Sequence, residues 1–286
     1  MTGQIPQRAG KPFPCVLLTK DPRFAYHGVS FAERGSWHGW GLDHYGRAAF
    51  AGRVEVPAAK NSVLPLLAAS LLCSGPVRLQ NVPRLTDVED CLALLRGVGC
   101  TAGWQGAELV VQGQPLRTDL APEAAGRMRA SILFCAPLLA RLGRVSTVLP
   151  GGCRIGARPI DCICRGWRRW RAAAARSART AYAVRPGGAA GRRICLSFPS
   201  VGATETLLLA AATAQGQTVL HGAAKEPEIA DLAAFLNACG GCVEGAGTDT
   251  IRVQGRRCLA GCTFMPVADR IIASTLACAA AAAGGR

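Results

Sequence analysis

Hydrophobic and polar positions along the chain fall into three successive sets of the same form. Each set opens on a helix-length segment, Asn61–Cys73, Met128–Leu142 or Gly202–Ala214. A short strand follows in each: Val77–Gln80, Val145–Leu149, Thr218–His221. The first and third sets then carry an amphipathic helix, Thr86–Val98 and Pro227–Cys239, opened by Asp or Glu. Acidic residues suit the positive end of a helix, and Gly99 and Gly240 stand where glycine commonly stops one. Two short strands close each set.

The first and third sets are copies. Leu79 matches Leu220, Asp87 matches Glu228, Val88 matches Ile229, and Asp90 matches Asp231. Leu95 matches Leu236 and Gly99 matches Gly240, and both copies end on Val-Gln-Gly, at Val111–Gly113 and Val253–Gly255. Half the offset from Leu79 to Leu220 lands near Leu149, so a middle copy fits between them. The fold class is therefore α/β, a domain of three similar units. It is not a Rossmann sheet, because no Gly-x-Gly-x-x-Gly follows a strand.

The middle copy departs from the pattern after Gly166, where the chain reads Trp167-Arg168-Arg169-Trp170-Arg171. No clean apolar face remains there, and the helix-stopping glycine is missing, so this second helix is expected to bury little against the others. Codons for Leu-Glu-Ala-Leu read one base late give Trp-Arg-Arg-Trp. Trp167 to about Gly191 thus reads as an out-of-frame translation, with a real basic loop as the alternative.

Composition changes this picture in three ways. The 286 residues are 50% hydrophobic and 18% charged, which excludes wholesale disorder and suits one large domain or two ordinary ones. The longest apolar runs, Val63–Cys73 and Ile271–Ala283, fall short of the roughly 18 residues a membrane span needs. No signal peptide is expected, since Pro12, Pro14 and Lys20 interrupt the first apolar stretch. The net charge of +15 is concentrated: nine arginines and no acid lie between Cys162 and Thr204. A nucleic-acid-binding reading of that window lacks a binding motif or an aromatic platform. Fourteen cysteines without a secretory signal point to free thiols in a reducing compartment. Cys239/Cys242 and Cys258/Cys262 have tolerable zinc spacing, but they read more simply as a helix end, a strand start and small apolar fillers, so no metal is assigned.

Three motifs carry candidate chemistry. Val56-Pro-Ala-Ala-Lys60-Asn61 places a lysine beside a helix start, an anion site in which the charge adds to free backbone N–H groups. Pro150-Gly151-Gly152-Cys153-Arg154 reads as a mobile loop presenting a thiol, with Arg154 and Arg158 favouring the thiolate. Pro199-Ser200-Val201-Gly202-Ala203-Thr204-Glu205 opens the third set, and its small residues let a phosphate approach the backbone. Arg129 occupies the equivalent helix start in the middle set.

Together with Met128-Arg129-Ala130-Ser131, Glu226-Pro-Glu-Ile229, Gly247-Thr-Asp249 and Asp269-Arg270-Ile271, these motifs identify a resemblance from about Gly52 to the C-terminus, the arginine window excepted. The chain resembles the enolpyruvyl transferases, and among them the UDP-N-acetylglucosamine 1-carboxyvinyltransferase family.

The resemblance implies an inside-out α/β barrel of three βαβαββ repeats, followed by a second domain. It implies transfer of enolpyruvate from phosphoenolpyruvate to the 3′-hydroxyl of UDP-N-acetylglucosamine without a cofactor, in the cytoplasm, for peptidoglycan synthesis and hence cell shape and division. Neither nucleic acid nor a membrane is an expected partner. Lys60 and Asn61 would hold phosphoenolpyruvate, with Arg129 and Arg158 balancing charge. Arg158, Pro159, Ile160, Asp161 and Cys162 would line the uridine site. Phe198, Pro199, Ser200, Val201 and Gly202 would contact the nucleotide's phosphates. Cys153 would protonate C3 or form an adduct, and Asp269 and Arg270 would stand at the domain junction.

The expected organisation is an extension over residues 1–45, a strand of the other domain over 46–59, the three-repeat domain over 60–267, and the start of a second domain over 268–286. Ala58, Cys162-Ile163, Ile272 and Ser274 depart from the family's pattern. By the resemblance, the aspartate acting as general base lies beyond Arg286, so the chain alone is not expected to turn over. The sister enzyme acting on shikimate 3-phosphate shares the fold; the Gly-Gly-Cys loop and Ser-Val-Gly-Ala-Thr favour the nucleotide sugar.

Overall fold

A computed structural model describes residues 53–151, 161–169, 173–176, 180–183 and 190–282. Val56–Ala273 is one compact unit; Met1–Glu55 and Ser274–Arg286 make the other.

The first repeat contains α1 (Lys60–Ala69), β1 (Val77–Leu79), α2 (Thr86–Gly97), β2 (Thr101–Gln105) and β3 (Glu108–Gln112). Its sheet pairs β3 antiparallel with both β1 and β2, with Val77 opposite Val111. After α3 (Pro122–Arg127), the second repeat contains a 3-10 turn at Arg129–Phe134, α4 (Cys135–Leu142), β4 (Arg144–Thr147), α5 (Asp161–Arg169), β5 (Ala173–Arg176) and β6 (Thr180–Ala183). Here β6 pairs antiparallel with both β4 and β5. β7 (Arg193–Cys195) leads out of the second repeat, and the third contains α6 (Val201–Ala211), β8 (Gln217–His221), α7 (Pro227–Ala238), β9 (Val243–Glu244) and β10 (Thr250–Gln254). Again the last strand takes the central place, pairing with both β8 and β9. The chain continues through β11 (Thr263–Phe264) into α8 (Arg270–Ala282).

A fourth, parallel partner joins these sheets in a cycle. Asp119, leaving the first repeat, bridges Ser146 of β4. β7, leaving the second, pairs with β8 of the third. β11, leaving the third, returns to pair with β1 of the first. Each repeat thus extends the next one's sheet, and β11 closes the ring.

Inside the ring, α1, α4 and α6 are the buried helices. Val63, Leu66, Leu67, Leu138, Leu207, Leu208 and Leu209 are fully covered. α2 and α7 pack outside on α1, and α5 packs on α6. Truncating one such buried leucine to alanine costs about 2–5 kcal/mol. Gly99 and Gly240 end the outer helices with φ of 108° and 85°, which a side chain would resist.

Two expectations are corrected here. The Met128–Leu142 segment is not one α-helix: Met128 is extended, and the first stretch is a 3-10 turn. Pro137 has no N–H, and its ring crowds the carbonyl four residues back, so it disfavours a continuous α-helix and is tolerated in the first turn of α4. The middle repeat's outer helix also keeps an apolar face. Ile163 and Trp167 lie four residues apart, on one side of α5, and are 5% and 2% exposed. The β5–β6 hairpin follows, with the strand order of its sister repeats. Among the described residues, no helix is long and apolar enough to cross a membrane.

Candidate active site

Lys60 is the first residue of α1, and Asn61 beside it is exposed. Ala59 offers no capping side chain. Asp269, far along the chain, approaches instead: its Oδ2 accepts the Lys60 N–H at 3.4 Å, while its Oδ1 accepts from the N–H groups of Ile271 and Ile272 at 2.8 and 3.1 Å. One carboxylate therefore joins the starts of α1 and α8. Backbone bonds from Ala59 N to Val267 O and from Asp269 N to Pro57 O hold the two segments side by side. The Lys60 ammonium is half-exposed and donates to Asp87 Oδ2 at 2.8 Å, from the first turn of α2. A phosphate entering here would compete with Asp87 for that cation.

A second group of charges lies where α7, α6 and α8 begin. Arg270 donates to both oxygens of Glu228, at 3.2 and 3.5 Å, and the Glu228 side chain is 5% exposed. Asp231, one turn on, accepts from the Ser62 hydroxyl and, at 3.1 Å, from the Val267 N–H. Burial, with Glu228 adding to it, raises the Asp231 carboxyl, although those two hydrogen bonds lower it. Glu205 on α6 is buried. Desolvation, then the charges of Glu228 and Glu226, push its carboxyl up to about 8, so it holds a proton at neutral pH.

Ser200 caps α6, accepting from the Ala203 N–H at 3.3 Å. Phe198 and Pro199 are exposed before it; Val201 and Gly202 are half-buried in the first turn. A methyl group added at Gly202 would meet nothing within 4 Å, so protein packing leaves this turn open. Arg129, half-buried, opens the 3-10 turn in the middle repeat. Asp161 and Cys162 begin α5. Cys153, Arg154, Arg158, Pro159 and Ile160 lie outside the described residues.

Gly151 allows a close backbone approach, and the rest of the expected Gly-Gly-Cys loop lies outside the described residues. A Cβ there would fall 1.5 Å from the Gly126 carbonyl oxygen, so the strand-to-loop exit is seated against α3. Among the described residues, no group of three or more His, Cys, Asp or Glu side chains is arranged to hold a metal ion.

The structure brings Lys60, Asp269 and Arg270 into one neighbourhood: Asp269 accepts from the Lys60 N–H, and Asp231 joins Ser62 of α1 to Val267 of the segment that carries Asp269 and Arg270. The sequence reading did not assign Asp87, Glu205, Glu228 or Asp231 to the site. Asp87, Glu228 and Asp231 were legible as matched acids of the repeats, and Glu205 as a carboxylate entering an otherwise apolar helix.

Comparison with known proteins gives a consistent result. The family model described as EPSP synthase (3-phosphoshikimate 1-carboxyvinyltransferase) matches residues 45–286. UDP-N-acetylglucosamine 1-carboxyvinyltransferase 2 of Carboxydothermus hydrogenoformans is 43% identical over 241 residues, covering 84% of this chain and 57% of that protein. The UDP-N-acetylglucosamine 1-carboxyvinyltransferase of Maricaulis maris is 46% identical over 243 residues, with the same coverage. The chain thus spans somewhat more than half the length of these relatives. Among solved structures, the enolpyruvyl transferase NikO from Streptomyces tendae superposes with a TM-score of 0.70 at 23% identity, over 81% of this chain and 55% of that one. An EPSP synthase from Acinetobacter baumannii gives 0.63 at 20% identity, over 79% and 52%.

Proposed function

The chain belongs to the EPSP synthase family of enolpyruvyl transferases, and from that premise we propose that it serves enolpyruvyl transfer from phosphoenolpyruvate to the 3′-hydroxyl of UDP-N-acetylglucosamine. The observation that carries the reading is positional. Lys60, Arg129 and Ser200 stand at the starts of the inner helical segment of each of the three repeats. Each start combines a cation or a hydroxyl with helix N–H groups, the chemistry that receives phosphate.

In the proposed reaction, C3 of phosphoenolpyruvate gains a proton, the sugar oxygen adds to C2, and a tetrahedral adduct forms. Loss of inorganic phosphate and of the C3 proton then leaves the enolpyruvyl ether. Lys60 and Asn61 hold phosphoenolpyruvate, with Lys60 exchanging Asp87 for the substrate's anion. Arg129 and Arg158 balance the phosphate charges. Arg158, Pro159, Ile160, Asp161 and Cys162 line the uridine, and Phe198 to Gly202 face the nucleotide's diphosphate. Cys153 supplies the proton to C3 or holds the covalent adduct. The inter-domain boundaries proposed are residues 60–267 for the three-repeat domain and 46–59 with 268–286 for the start of another, Asp269 and Arg270 lying at the junction. The setting is cytoplasmic peptidoglycan synthesis.

Phosphate release from phosphoenolpyruvate, with UDP-N-acetylglucosamine and then shikimate 3-phosphate as acceptor, tests the assignment. Any release the chain supports should require the nucleotide sugar and disappear in Lys60→Ala. Release that requires shikimate 3-phosphate would assign the sister activity instead.

A further inference from the structure

Two cysteine pairs, Cys239/Cys242 and Cys258/Cys262, have no part in the chemistry above. The fold takes one thiol from each: Cys239 Sγ and Cys262 Sγ stand 3.2 Å apart. That is closer than a relaxed sulfur–sulfur contact and about 1.2 Å longer than a disulfide bond.

Both backbones are already fixed for the encounter. Cys239 ends α7, where its N–H bonds the Phe235 carbonyl at 3.0 Å. Its own carbonyl accepts the Ala260 N–H at 2.8 Å, so the segment bearing Cys262 is tied directly to Cys239. The Cys262 carbonyl in turn accepts the Arg78 N–H at 2.9 Å. Closing the gap therefore needs side-chain rotation and little backbone movement. A third thiol, Cys73, also reaches Cys239, from a residue bridged to Leu259. Cys242 is half-buried and Cys258 exposed.

We propose that Cys239 and Cys262 form a thiol pair that a low-molecular-weight disulfide oxidises to an intrachain disulfide. The half-buried Cys262 attacks first as a thiolate, displacing one thiolate from the reagent and forming a mixed disulfide. Cys239, having lost its proton to solvent, attacks the Cys262 sulfur and displaces the second thiolate. Two protein thiols give up two electrons and two protons, and the reagent leaves as two thiols. The hydrogen bond to Cys262 lowers the Cys239 thiol, but the Cys73 thiol and burial outweigh it and push Cys239 up to about 12; contact with Cys239, then burial, raises Cys262, so closure is slow at neutral pH.

The bond would matter because of where Cys262 stands. It immediately precedes β11, whose pairing with β1 closes the ring of repeats. The same segment runs on to Asp269, which meets the Lys60 N–H. The disulfide would fasten the end of α7 to the closing strand and hold the α1 start in place.

The test uses the full chain, incubated with oxidised glutathione at mildly alkaline pH, alkylated, and digested without reductant. A Cys239–Cys262 linked peptide should be the main cross-link. The oxidised chain should unfold at a higher temperature, and dithiothreitol should abolish both effects. Cys242→Ser and Cys258→Ser should keep the link, while Cys262→Ser and Cys239→Ser should lose it. The wild-type link and its reversal decide the matter even if the last two variants fail to fold. Alkylation of Cys239 and Cys262 after oxidation, a Cys73–Cys239 link in its place, or a link formed only when urea has unfolded the chain would each overturn the proposal.

Discussion

Glu205→Gln should stabilise the protein, and the gain should grow with pH. Glu205 sits on α6 among Leu207, Leu208 and Leu209, with its carboxyl at about 8 instead of the ordinary 4.5. Below the ordinary value the group is protonated in both folded and unfolded chains and costs nothing. Between 4.5 and about 8 the unfolded chain releases the proton and the folded chain keeps it. Stability therefore falls as pH rises through that window and levels off above it. Each unit is worth about 1.4 kcal/mol, which gives about 3 kcal/mol at pH 7 and about 5 kcal/mol above pH 8. Glutamine has nearly the same shape and never ionises, so it removes this loss. Urea unfolding followed by tryptophan fluorescence at pH 5, 7 and 8.5 measures the difference between the two chains. The gap should be under about 1 kcal/mol at pH 5 and should widen to several kcal/mol at pH 8.5. Glu228→Gln, which removes a neighbouring charge, should shrink it. A gap that is constant with pH, or that widens toward acid, would refute the reasoning.

Trp167→Ala should cost about 3 kcal/mol in urea unfolding, because the indole is buried on α5; a loss under about 0.5 kcal/mol would mean that this helix does not pack. Ser200→Ala should cost about 1 kcal/mol through the lost α6 cap, read from the same unfolding curves. Lys60→Ala should change stability by less than about 1 kcal/mol, since its bond to Asp87 is half-exposed, yet weaken phosphoenolpyruvate binding at least about tenfold in a calorimetric titration. Cys153 should be the thiol that a brief dose of iodoacetamide labels first in peptide mapping, because arginines flank it and favour the thiolate; equal labelling of all the cysteines would contradict that.

Much of the fold was legible because the repeats are read locally. Leu79/Leu220 and Gly99/Gly240 sit at equivalent points of equivalent elements, and the strand after each inner helix fell within a residue or two of its place. The cyclic closure was not legible. It depends on parallel contacts such as Arg78 with Thr263, which two or three residues of β-strand cannot announce. α5 was misjudged because arginines at its end hid a two-residue apolar face; Ile163 and Trp167 suffice when Leu207 of α6 lies alongside. In the site, motif residues such as Lys60 and Ser200 were found at helix starts as expected. The pairings of Lys60 with Asp87 and Asp269, and of Arg270 with Glu228, were missed because they act across long sequence separations, where acid spacing alone says nothing about which group each one meets.

The central claim, that this chain carries the nucleotide-sugar side of an enolpyruvyl transferase, is tested most directly by calorimetric titration of the 286-residue chain with UDP-N-acetylglucosamine and, separately, with shikimate 3-phosphate. The account predicts saturable binding of the nucleotide sugar, weakened by substitutions at Arg129 and Ser200, and none of shikimate 3-phosphate. Saturable binding of shikimate 3-phosphate, with none of the nucleotide sugar, would contradict it.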